Sequence, residues 1–174
     1  MRYWIDRQGD DHVQKFGLAP LIPAGCRLLI LGSLPGDRSL AAQQYYAHPR
    51  NQFWALLEAV SGRPLSSMRY GDRLSALTAL RVGLWDVLAS ARRKTSLDSD
   101  IRNAVPNALE TMLRSVPDCQ TIGCNGARSA QMVRAQIDAR DWKIVDLPSS
   151  SAAYTKPFNA KLEHWMQLRP LLIG

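Results

Sequence analysis

What this chain lacks narrows the possibilities first. No apolar run approaches the roughly 18 to 20 residues that cross a bilayer, so no membrane-spanning helix is expected. Cysteine is scarce: Cys26, Cys119 and Cys124 contain no C-x-x-C pair, which argues against a zinc or iron–sulfur site and for buried free thiols. Histidine is equally scarce, with His12, His48 and His164 isolated from one another, so neither a metal nor any other cofactor is expected. No Gly-Lys-Ser/Thr follows a glycine-rich turn, which excludes a P-loop, and there is no G-x-S-x-G elbow. The opening MRYWIDRQGDDHVQ is polar and does not read as a secretory signal, which points to the cytoplasm.

Acidic residues are also in deficit. There are 15 against 22 lysines and arginines, a net charge of +7 that suits a phosphate-rich partner, nucleic acid first. Arg50 and the run Arg92-Arg93-Lys94 are the candidate phosphate contacts, although a solvated basic face accounts for the 92–94 run equally well. At 174 residues and 46% hydrophobic, with no repeat and no linker, the chain is expected to be one domain with a sizeable core.

Four apolar segments read as strands: Arg27–Leu31, Val82–Trp85, Gln120–Cys124 and Lys143–Leu147. Between them, helical spacing of apolar residues predicts helices over Gln52–Val60, Asp72–Leu80, Pro106–Val116, Gly126–Ile137 and Pro157–Leu168, with Pro106 suited to a first helical turn. Strands alternating with helices imply a three-layer α/β/α fold around a four-stranded, mainly parallel sheet. Right-handed crossovers then bring the strand-exit loops, beginning at Gly32, Asp86, Asn125 and Pro148, to one edge of that sheet, where ligands bind.

Those loops hold the chemistry. Gly32-Ser33-Leu34-Pro35-Gly36 makes a tight turn whose N–H groups can face a base edge, a sugar or a phosphate. Tyr45 and Tyr46 form either a satellite core or a stacking platform for a base. His48 precedes a proline, and Asn51 stands where it can cap the next helix or orient water. Asp86 and Asn125 end their strands, Asp86 either capping a turn or reading a base edge. Ser149-Ser150-Ser151, with Ala152 to Tyr154 behind, is either a flexible loop or a grip on a phosphate backbone.

Two motifs taken together resemble the uracil-DNA glycosylase superfamily: Gly32-Ser33-Leu34-Pro35-Gly36 at the first strand exit and Leu147-Pro148-Ser149-Ser150-Ser151 at the last. Tyr45-Tyr46-Ala47-His48-Pro49-Arg50-Asn51-Gln52-Phe53-Trp54, with Leu84-Trp85-Asp86-Val87, is most similar to the hypoxanthine-DNA glycosylases, which release the base of deoxyinosine. The resemblance implies a monofunctional enzyme that hydrolyses an N-glycosidic bond in DNA after flipping the damaged nucleotide out of the stack. It puts Leu34 where the mismatch-specific uracil enzymes have a water-orienting asparagine, and Leu147 where the uracil enzymes have a histidine. The catalytic amide is then expected at Asn51, with His48 or loop N–H groups stabilising the departing base.

The resemblance assigns the remaining positions as well. Tyr46 would stack on the base. Gly32 to Gly36, Asp86 and Asn125 would bind its edge. Arg50, Arg92, Arg93, Lys94, Ser149, Ser150, Ser151, Ala152 and Tyr154 would hold the DNA. The partner is expected to be DNA carrying a deaminated base, bound by a monomer associated with the nucleoid. Rival readings are a uracil-preferring glycosylase, a silent DNA-binding module of the same fold, and an enzyme acting on free nucleosides.

Overall fold

The computed structural model describes residues 12–173; residues 1–11, which carry most of the segment read for a secretory signal, lie outside them. Four strands form the central sheet: β2 (Leu28–Gly32), β3 (Val82–Asp86), β6 (Thr121–Asn125) and β7 (Lys143–Leu147), in the order β3-β2-β6-β7 and parallel throughout. The strands begin and end within a residue of the sequence expectation. β2 takes in Gly32 but not Arg27, whose guanidinium donates to Leu171 O at 3.0 Å.

β2 shows why this sheet has three layers. All five of its residues are buried, and successive side chains point to opposite faces. Leu28 and Ile30 join the core formed with α2 (Phe53–Ser61), α3 (Tyr70–Leu80), α6 (Phe158–Trp165) and α7 (Arg169–Leu172). Leu29 and Leu31 join the opposite core, with α4 (Leu109–Arg114) and α5 (Ala127–Arg134). A short helix, α1 (Asp37–Ala42), follows the first exit loop. The cysteines are free and buried.

A second sheet was not legible in the sequence. β1 (Val13–Phe16), β4 (Leu88–Arg93) and β5 (Arg102–Pro106) pair antiparallel in the order β1-β4-β5. Every residue of β5 is exposed, so no apolar alternation announces it. Pro106 is therefore not in a helix's first turn: it ends β5, opposite Leu88, and α4 begins only at Leu109. An edge strand tolerates a proline because its missing N–H is not needed for a second ladder.

β4 follows β3 after the single residue Val87, so the small sheet grows directly from a strand end of the large one. Val87 N–H and Leu88 N–H donate to Gly32 O (2.9 Å) and Ser33 O (3.1 Å), laying this crossing along the first exit loop.

Candidate active site

The strand-exit loops enclose a cavity of about 560 Å³ at the carboxyl edge of the parallel sheet. That lies within the usual range for small-molecule sites. Its walls include Gly32 to Gly36, Tyr46, His48, Arg50, Asn51, Asp86, Asn125 and Ser149 to Tyr154, residues drawn from four separated loops. A shallower depression of about 870 Å³ lies at the opposite edge, between Leu113, Arg114, Trp142 and Lys143. None of the exit loops reaches it, and Arg114 there is paired with Glu110 and Asp141.

Asp86 lies deepest. It is 4% exposed, and its Oδ2 has no hydrogen-bond partner among the described residues. A Cβ on Gly32 would meet Asp86 Oδ1 at 2.6 Å, so the glycine leaves the space that this carboxyl fills. Burial pushes the Asp86 pKa up to about 7; the positive charge of Arg93 opposes the shift and the negative charge of Asp98 adds to it. The carboxyl thus keeps its proton in the folded protein at pH values where the unfolded chain, near pKa 3.9, has lost it. Its stabilising contribution is present below about pH 4 and is lost as pH rises through about 7. Asp86→Asn is therefore expected to melt above wild type by a few degrees at pH 8 and close to it at pH 4, one kcal/mol being worth roughly 2–4 °C. Thermal melts at the two pH values measure this, and a pH-independent difference would contradict it.

Arg93 is not where a phosphate contact must be. Strand alternation turns it inward from β4, fully buried, while Arg92 is half-buried and Lys94 exposed. Its guanidinium donates to Leu34 O (3.4 Å) and to Pro35 O, so it holds the first exit loop from beneath. Arg92 donates to His12 O at 3.1 Å, across to the approach of β1. Leu34 itself is buried with Leu88, Ala91 and Ile101, an apolar cluster that gives the leucine a packing role.

The segment after β4 also closes on the first loop. Ser33 Oγ donates to Asp98 Oδ1, Asp37 N–H to Ser96 Oγ at 3.0 Å, and Lys15 pairs with Asp37. Ser96, Leu97 and Asp98 line the cavity, as does exposed Arg38 on α1; none was singled out from the sequence. The cluster Thr95-Ser96-Leu97-Asp98-Ser99-Asp100 was a turn signal in its composition, but nothing in it names the loop it meets.

The connection into α2 separates the two tyrosines. Tyr45 is core: it is buried, and its hydroxyl donates to Ala19 O at 3.0 Å. Tyr46 lines the cavity in a left-handed backbone conformation (φ 55°), its ring stacked on Phe53 with centroids 3.7 Å apart and planes at 10°. One face of Tyr46 is therefore already covered. Burial raises its hydroxyl pKa, so it remains a phenol.

Asn51 is one residue ahead of the helix cap, which is Gln52. Its Oδ1 accepts the Phe53 N–H at 2.9 Å, fixing the amide at the cavity wall with its NH2 and a second Oδ1 lone pair left over. His48 Nδ1 accepts the Arg50 N–H at 3.1 Å, which leaves the ring N–H on Nε2.

The last loop is knitted to the others at Ser150. That serine is fully buried, so it does not grip a phosphate. Its N–H donates to Asn125 Oδ1 and its Oγ accepts from Asn125 Nδ2, both at 2.9 Å. Its carbonyl accepts the Gln52 N–H at 2.9 Å. Asn125 thus spends half of its amide's hydrogen-bonding capacity on loop geometry. Gly126, at φ 100°, allows the two loops to approach: a Cβ there would lie 3.2 Å from Ser149 Cβ. Ser149 and Ser151 accept the N–H groups two residues on, while Tyr154 stands 44% exposed at the tip.

A parallel sheet between helical layers, with its exit loops closed around one cavity, defines an α/β protein that binds its ligand beyond the carboxyl ends of its strands. The chain belongs to the Uracil DNA glycosylase superfamily, which it matches over residues 19–170. It is 34% identical over 155 residues to a protein of Methanosarcina barkeri (strain Fusaro / DSM 804) named Hypoxanthine DNA glycosylase, covering 89% of this chain and 98% of that protein. A protein of the same name from Methanosarcina acetivorans is 34% identical over 151 residues, 87% of this chain and 95% of its own length. A solution NMR structure of a Methanosarcina acetivorans protein, described as a candidate uracil DNA glycosylase, superposes with a TM-score of 0.82. It is 33% identical and covers 91% of this chain and 99% of that one.

Proposed function

We propose that this chain is a monofunctional DNA glycosylase that hydrolyses the N-glycosidic bond of a flipped, deaminated base, hypoxanthine first. The observation that carries the reading is the Asn51 amide, held at the cavity wall by the Phe53 N–H with hydrogen-bonding capacity to spare. An amide is a poor base, so it serves a reaction in which the sugar gains oxocarbenium character first and water needs only orientation. His48, presenting Nε2–H, and the first-loop backbone are available to the charge on the departing base.

Arg50 and Arg38, both exposed at the cavity wall, are the cations suited to the flanking phosphates. Exposed Tyr154, with Ala152, is placed to enter the space a flipped base leaves. Among the described residues no helix is long and apolar enough to cross a membrane, compatible with work at the nucleoid.

The test is incubation of the protein with labelled oligonucleotides carrying deoxyinosine, uracil, xanthine or a normal base, followed by alkali. Strand breaks are expected from deoxyinosine above all, and only after alkali. Breaks from uracil alone would establish the uracil-preferring alternative, and binding without breaks from any strand would establish a silent module.

A further inference from the structure

Asp86 is the one buried acid of the cavity that the water-orienting mechanism leaves without a task. We propose that Asp86 is the general acid of the reaction, delivering a proton to N7 of the flipped purine as its glycosidic bond breaks. The inference rests on the reading that a deaminated purine occupies this cavity.

Four observations support it. The carboxyl lines the cavity, yet is 96% removed from solvent by the 4% exposure of its residue. Its Oδ2 has no hydrogen-bond partner among the described residues, so one oxygen is uncommitted. Gly32 provides the room for Oδ1, so the position of the group is built into the turn. Its surroundings also keep the proton on near neutrality. Burial outweighs the one cation that acts on it, Arg93 of β4, while Asp98 beyond β4 resists a second negative charge. The other titratable neighbours, Tyr45 and Tyr46 from the connection into α2, are phenols that burial keeps protonated.

The chemistry has a reason to want this group. A purine joined through N9 carries a basic nitrogen, N7, in the same five-membered ring, and a proton there draws electrons out of the C1′–N9 bond. The Asp86 O–H bond breaks and an N7–H bond forms; the C1′–N9 electron pair passes to the base, which leaves as neutral 7H-hypoxanthine. Water held by Asn51 bonds to C1′ and releases its proton to solvent, and Asp86 regains a proton from bulk water. A pyrimidine has no equivalent nitrogen, so the acid serves purine release specifically.

Single-turnover release from a deoxyinosine oligonucleotide, followed with the full chain between about pH 5.5 and 9, tests the wild-type protein directly. The rate is expected to fall with rising pH as Asp86 ionises, approaching tenfold per unit. Asp86→Asn is expected to lose that alkaline limb and at least about 100-fold in rate, the usual worth of a general acid. On an oligonucleotide whose deoxyinosine is methylated at N7, which already bears the charge the proton would supply, the variant is expected within about threefold of wild type. A wild-type rate that is flat or rises over this range overturns the assignment, as does an equal loss on both substrates. Release of no base by wild type overturns the glycosylase reading itself.

Discussion

Asn51→Ala is expected to cut base release at least about 100-fold while leaving affinity for deoxyinosine DNA nearly unchanged, the loss typical when a reacting group is no longer held in position. The side chain has two tasks that this substitution removes together. Its Oδ1 accepts the Phe53 N–H at 2.9 Å, a contact at the start of α2 worth about 1 kcal/mol of stability by analogy with helix caps. The residue also lines the cavity, where the proposed reaction needs its water held. Asn51→Asp separates the two tasks, because a carboxylate still accepts the Phe53 N–H. That variant is expected to melt near wild type, whereas the alanine variant melts a few degrees lower. Near-normal single-turnover release by the alanine variant would sink the assignment and confine Asn51 to a structural role.

The second large effect is expected at Arg93. Arg93→Ala should cost about 3–5 kcal/mol of folding free energy in denaturant titrations, because it opens a cavity beneath the first exit loop and strips buried carbonyls of their donor, at about 1–3 kcal/mol each. Leu34 O and Pro35 O would lose their donors, and Asp86 would lose the cation that acts on it. The surface reading of the Arg92-Arg93-Lys94 run makes a different forecast, a change in DNA affinity with little change in stability. Salt titrations distinguish the two. Arg93→Gln, which removes the charge, is expected to leave the salt slope of DNA binding unchanged, whereas the surface reading lowers it by about one. Arg50→Ala, at an exposed position on the cavity wall, should lower that slope by about one. A destabilisation by Arg93→Ala below about 1 kcal/mol would return Arg93 to the surface.

Much of this site was legible before any coordinates. Local spacing alone located the ends of β2, β3, β6 and β7 to within a residue: β2, β3 and β6 are largely buried and read as short apolar runs, while edge strand β7 alternates buried Val145 and Leu147 with exposed Asp146. Chain connectivity then placed Gly32, Asp86, Asn125 and the Ser149–Ser151 loop at one edge, and all of them line the cavity. Pro106 changed element, from a helix start to the end of β5, and the site readings that changed depended on which way a side chain points. Arg93 and Ser150 are polar residues in polar runs, and nothing local distinguishes them from Lys94 or Ser151, yet both are fully buried.

By itself, then, the sequence determined the central sheet, the edge where the site lies and the residue types available there. These follow from hydrophobic period and from crossover handedness, which are properties of short segments. Only the tertiary structure decided the division of labour. The small sheet of β1, β4 and β5 turned Arg93 under the Leu34–Pro35 carbonyls and brought Asp98 onto Ser33. Ser150 became the knot joining three loops, and Asp86 was sealed against Gly32 with its Oδ2 unpartnered among the described residues. Those outcomes depend on contacts between residues far apart in the chain and on the loss of solvent at their meeting point, neither of which any single segment contains.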